Sequence, residues 1–97
     1  MYLLVYKFGG SSVADAAGLR CAAGQLAAAA AAGFHIIAVV SAQGKTTDRL
    51  LQSTAELTAH PACREADQLL ATGEQASAAL MAMTLQEMGL PAVSLTG

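Results

Sequence analysis

Tyr2-Leu3-Leu4-Val5-Tyr6-Lys7-Phe8-Gly9-Gly10-Ser11-Ser12 decides the fold of this chain. The apolar run at its start reads as a buried strand ending near Phe8. Two glycines then let the backbone turn tightly and bring bare N–H groups close to a ligand. Val13-Ala14-Asp15 reads as the start of a helix. A strand, a glycine turn and a helix N-terminus together suit a phosphate or another anion. Lys7 adds a positive charge directly before the turn, and the combination points to the handling of nucleotide phosphates.

Working outward, the chain alternates strands and helices. Residues 2–8 are the first strand. Residues 13–32 are predicted helical, with Ser12 as N-cap and Asp15 three places on, as in a capping box. Six alanines, Ala27–Ala32, favour helix and close packing on a sheet, and Gly33 is the stop. Phe34–Val40 is an unbroken apolar run, the pattern of a strand buried on both faces of a parallel sheet. Ser41-Ala42-Gln43-Gly44-Lys45-Thr46-Thr47 is the loop after it. A helix is predicted from about Asp48 to Ala59, and a short one near 63–71. Thr72 and Gln75, placed as a second capping box, open a last long helix that stops at Gly89. Ala92-Val93-Ser94-Leu95 reads as a third short strand, and Thr96-Gly97 as the next loop.

This order implies an α/β fold with parallel pairing and right-handed crossovers. Ligands in such sheets bind beyond the carboxyl ends of the strands. The turn after Phe8, the loop after Val40 and Thr96-Gly97 would share that edge. A three-stranded parallel sheet with an uncovered edge is a poor independent fold, so the chain is expected to be a portion of a longer domain.

Bulk properties narrow the classes. The 97 residues carry a formal charge of −2, are 55% hydrophobic and only 12% charged. That describes globular protein, one domain or part of one. So few charges suggest that some apolar surface meets other polypeptide. Five basic residues spread along the chain form no nucleic-acid patch. Cys21 and Cys63 lack metal-site spacing, and reduced, partly buried thiols are expected. No signal peptide is legible at the N-terminus, and no run is long enough to span a membrane. The expected compartment is the cytoplasm.

Gly44-Lys45-Thr46 has the look of a P-loop, but the full pattern needs a glycine where Val39 stands inside a strand. No GxGxxG is present either. His35, at a strand start, and His60, before a proline, read as structural. Met81, Met83 and Met88 read as helix packing on a sheet, and Cys21 as core. No metal-ligating set is identified.

With those readings set aside, Lys7-Phe8-Gly9-Gly10-Ser11-Ser12-Val13-Ala14-Asp15 resembles the opening signature of the aspartokinases, in the amino acid kinase family. Val40–Asp48 is similar to the second loop of that family. Leu70–Leu80, with Thr72-Gly73-Glu74, is similar to its Thr-Gly-Glu helix, and Ala92–Gly97 continues the match. Gln43 stands where most aspartokinases have methionine. The resemblance covers essentially the whole chain.

The resemblance implies a three-layer α/β/α sandwich with a mainly parallel sheet, of which residues 1–97 would be the N-terminal, substrate-side part. It implies transfer of the ATP γ-phosphoryl to the side-chain carboxylate of L-aspartate, with Mg2+ bound mainly through ATP. That reaction opens lysine, threonine and methionine synthesis. Positioning and charge neutralisation do most of the work in such a transfer. Lys7 would be catalytic and lie along the phosphates. Gly9, Gly10 and Ser11 would offer backbone N–H groups to them, and Ser41, Thr47 and Glu74 would hold aspartate. Each has a plainer structural reading: a strand end for Lys7, an ordinary turn for the glycines, helix caps for the hydroxyls, and a helix-dipole partner for Glu74. Lys45 is left between substrate contact and solvent.

The adenine-binding half and the regulatory ACT domains of the family have no counterpart here, so the isolated 97 residues are expected to be inactive. Association with copies of itself or with the remainder of the enzyme is expected, with no nucleic acid or membrane partner. The other classes left open are a non-catalytic anion- or partner-binding module, and one half of a split carboxylate kinase.

Overall fold

A computed structural model describes residues 2–96. The elements run β1 (Leu3–Phe8), α1 (Ala16–Ala31), β2 (His35–Val40), α2 (Thr46–Leu57) and α3 (Cys63–Glu87). β1 and β2 pair in parallel, in register from Leu3 opposite His35 to Phe8 opposite Val40. The α/β class and the parallel crossover expected from the sequence are thus observed.

α1 and α3 cover one face of this sheet. Phe8, Val13, Leu19, Ala22, Ala23, Leu26, Met81 and Leu85 form the buried cluster, with Tyr6, Ile36, Ala38 and Val40 packed against it. Among the described residues nothing covers the other face. Leu3, Val5, Ile37 and Val39 alternate with the packed residues and are exposed, as the period of two in a strand requires. β2 therefore has one covered face and not the two that its apolar run suggests. A compact monomer of this mass exposes about 5,200 Å²; this chain exposes 6587 Å². No helix of the described residues is long and apolar enough to cross a membrane.

α1 begins at Ala16, a turn later than expected, because Asp15 and not Ser12 is its N-cap. The Asp15 carboxylate accepts from the Gly18 N–H at 2.8 Å, and Asp caps as well as Ser does. Burial on α1 falls on Leu19, Ala22, Ala23 and Leu26, a helical stripe. Cys21 lies off that stripe and is exposed, as is Cys63. The alanine tract from Ala27 is half-buried to exposed.

The two helices expected around 63–71 and from Thr72 are one continuous helix. Thr72 does not cap; its hydroxyl donates to the Leu69 carbonyl at 2.6 Å within the helix. α2 likewise starts at Thr46 and ends at Leu57. On α3, Gly73, Ser77, Met81, Ala82 and Leu85 are buried. Met83 falls on the opposite side and is exposed, as is Met88. α1 and α3 end alike. Phe34 N donates to Ala29 O and Gly33 N to Ala30 O; Leu90 N donates to Leu85 O and Gly89 N to Gln86 O. Both are Schellman closures with glycine at positive φ, as read for Gly33 and Gly89.

Residues 92–95 pair with no strand among the described residues, so the third strand is not formed. A strand needs a neighbour to complete its ladder, and a cavity of about 520 Å³ lies between this segment and β2. Val93 and Leu95 are exposed. Of the expected loop at Thr96-Gly97, Gly97 lies outside the described residues.

Candidate active site

The turn after β1 and the loop after β2 both leave the carboxyl end of the sheet and are tied to each other. Ser41 N donates to Phe8 O at 3.1 Å, extending the strand pairing by one bond. Gly44 N donates to Gly10 O at 2.9 Å. The Gln43 side-chain amide donates to the Val13 carbonyl at 2.8 Å. Within the first turn, Ser12 N donates to Gly9 O at 3.1 Å. These bonds fix the two loops relative to each other without help from a ligand.

Gly10 is required by close approach. A methyl group on it would lie 2.6 Å from the Ala42 carbonyl oxygen, well inside contact distance. Gly9 has open space around it. A ligand can therefore approach the backbone at Gly9, while Gly10 is packed against the second loop.

α3 reaches the same place. A methyl at Gly73 would lie 2.9 Å from the Ala42 methyl carbon and 3.2 Å from the Thr46 methyl carbon. The Thr-Gly-Glu segment thus sits directly on the loop after β2. Ala42 is buried, touched by the first turn on one side and by α3 on the other. Ser41 precedes it and is half-buried; Thr47 lies in the first turn of α2 and Glu74 follows Gly73, both exposed.

Lys7 is the last but one residue of β1, opposite Val39, and is exposed. It belongs to the same alternating set as Leu3 and Val5, on the face that no helix covers. Ser11 is exposed in the turn. The sequence-predicted residues thus fall on three segments that meet at Ala42. The anion reading changes in one respect: the Asp15 carboxylate caps α1, so the turn is separated from that helix N-terminus by the cap. α2 begins without a side-chain cap. Of the two residues that join the segments, Ala42 was not singled out by sequence, since an alanine in a loop carries no signal of its own; Gln43 was noted only as standing in place of a methionine, without a structural role. Among the described residues, no three His, Cys, Asp or Glu side chains come together as a metal cage.

Comparison with known proteins identifies the family and the fold. The model of the amino acid kinase family matches residues 3–97. The chain is 46% identical over all 97 residues to an aspartokinase of Geobacillus stearothermophilus, covering 24% of it. It is 45% identical over the same span to aspartokinase 2 of Bacillus subtilis (strain 168), again covering 24%. The crystal structure of aspartate kinase from Synechocystis superposes with a TM-score of 0.93 at 40% identity, over 98% of this chain and 16% of that one. The chain spans about a quarter of the length of the curated relatives it matches.

Proposed function

Since this chain belongs to the amino acid kinase family, we propose that it forms the substrate-side part of an aspartate kinase. The observation that carries the reading is the meeting of the glycine turn, the Ser41–Thr47 loop and the Gly73-Glu74 turn of α3 around Ala42. Three segments far apart in sequence converge at the carboxyl end of a parallel sheet, where such folds bind ligands.

In this reading, ATP lays its phosphates along the turn. The N–H groups of Gly9, Gly10 and Ser11 face them, and the Lys7 ammonium offsets charge that builds on the transferring group. Ser41 and Thr47 donate hydroxyl hydrogen bonds to aspartate. The Glu74 carboxylate pairs with its α-ammonium group. A side-chain carboxylate oxygen of aspartate attacks the γ-phosphorus in line. The new O–P bond forms as the bond to the β–γ bridging oxygen breaks, and ADP leaves with that electron pair. The described residues do not build a cage for Mg2+, which would come bound to the ATP phosphates. The product, 4-phospho-L-aspartate, would open lysine, threonine and methionine synthesis in the cytoplasm. The alternative of a non-catalytic module is not favoured, because the relatives matched over the whole chain are aspartokinases.

The test is a chimera in which these 97 residues replace the matching segment of the Geobacillus aspartokinase. Aspartyl phosphate is trapped with hydroxylamine. The chimera is expected to form the hydroxamate from aspartate and not from glutamate, and Glu74→Gln to raise KM for aspartate. A soluble, folded chimera without activity beside an active host would overturn the reading.

A further inference from the structure

Ala42 is 5% exposed and stands between two glycines that are both closed to a side chain. Carbon atoms pack at about 3.5–4.0 Å. A methyl at Gly73 would meet the Ala42 methyl carbon at 2.9 Å and the Thr46 methyl carbon at 3.2 Å. On the opposite side, a methyl at Gly10 would meet the Ala42 carbonyl oxygen at 2.6 Å. The two contacts differ in kind: Gly73 presses on the Ala42 side chain, Gly10 on its backbone.

Gly73 also sits inside α3, a helix of 25 residues. Glycine there costs about 1 kcal/mol relative to alanine. Helix formation therefore does not explain it, and close approach to Ala42 does. Ser41 adjoins Ala42, Thr47 lies five residues on in the same loop-to-helix segment, and Glu74 adjoins Gly73.

We propose that Ala42 and Gly73 are positioning residues: their contact sets the spacing between Glu74 and the Ser41–Thr47 segment, and Gly10 fixes the glycine turn to the other side of the same residue. The identity of what is spaced, the groups that hold aspartate, rests on the function proposed above; the contact itself does not. A methyl at position 73 presses on Ala42 and Thr46, and in this proposal the displacement of the loop strains the Gly44 N–H to Gly10 carbonyl bond. Removing the Ala42 methyl relieves the tighter of the two contacts and leaves the Thr46 methyl carbon at 3.2 Å. It does nothing for a methyl at position 10, which meets backbone.

Amide hydrogen exchange on the folded chimera tests this without any substrate. Gly73→Ala is expected to speed exchange at Gly44 and Ser41 about tenfold, the scale of a local opening, and Gly73→Ala with Ala42→Gly to restore it. Gly10→Ala is expected to speed exchange at the same amides, and adding Ala42→Gly to leave that unrestored. Should Gly73→Ala not fold, recovery of folding by Ala42→Gly is the readout. Unchanged exchange in a folded Gly73→Ala chimera, or no restoration by Ala42→Gly, overturns the proposal. In the active chimera, Gly73→Ala should raise KM for aspartate about tenfold, the scale of a lost polar contact, leave KM for ATP unmoved and be reversed by Ala42→Gly. An equal rise in both KM values overturns the positioning role. An inactive chimera counts against the aspartate reading alone, and the exchange result then decides this one.

Discussion

The Gly44 N–H donates to the Gly10 carbonyl at 2.9 Å, so the turn after β1 and the loop after β2 are one structural unit. Neither loop is free to move without breaking that bond. On the function proposed above, a fixed pair of loops at the carboxyl ends of the strands would be a preorganised site, the condition under which N–H groups contribute most to phosphoryl transfer.

Lys7 should be separable from the fold. It is exposed, and substitution of an exposed residue away from special backbone shifts stability by about 0.5 kcal/mol or less. Lys7→Ala is therefore expected to unfold at the same urea midpoint as the parent. In the chimera, hydroxamate formation should fall about a hundredfold or more, the cost of removing a group that offsets developing charge. A Lys7→Ala chimera that keeps its full rate would remove the lysine from the mechanism.

The two candidate caps of α1 make opposite forecasts. Asp15 accepts from Gly18 N, and losing such a cap costs about 1 kcal/mol. Urea unfolding of Asp15→Ala should show that loss. Ser12→Ala should show less than half of it, since the Ser12 side chain is exposed and lies outside the helix. Equal losses would return the cap to Ser12.

Gln43 holds the Val13 carbonyl beside a fully buried Val13 side chain. Gln43→Met removes the donor and leaves the carbonyl to find water or remain unpaired. The expected cost is about 1–2 kcal/mol, read as a lower urea midpoint with an unchanged slope. The Val13 carbonyl carbon shift in NMR should move with it.

Ser77 is fully buried, and its hydroxyl has no hydrogen-bond partner among the described residues. Ser77→Ala removes the unpaired group and substitutes a better helix former. It should raise stability by about 1 kcal/mol, measured as an upward shift of the thermal midpoint. A downward shift would mean that the hydroxyl is paired in solution.

Both strands, the crossover helix and the glycine stops were legible because each rests on local sequence. An apolar run, an alanine-rich tract and a Gly33 or Gly89 closure need no distant partner to be recognised. The three segments of the candidate site were legible, and in the structure they lie side by side. What was hidden depended on partners. Thr72 and Gln75 have the spacing of a capping box, yet α3 runs through them because the Thr72 hydroxyl turns back on the helix and Gly73 docks on Ala42. Ala92–Leu95 has strand-forming residues but no neighbour to pair with. Ala42 carries no chemical signal, and only its two contacts reveal it.

The register of the sheet also bears on how the chain is made. Leu3 pairs with His35, so β1 leaves the ribosome about thirty residues before its partner, a wait of roughly 2–6 s at ordinary rates of synthesis. During that interval its apolar side chains have no strand beside them. α1, rich in alanine and closed by bonds among its own residues, is the element made in between. The nascent chain therefore completes a self-closed helix before it acquires the strand that pairs with β1.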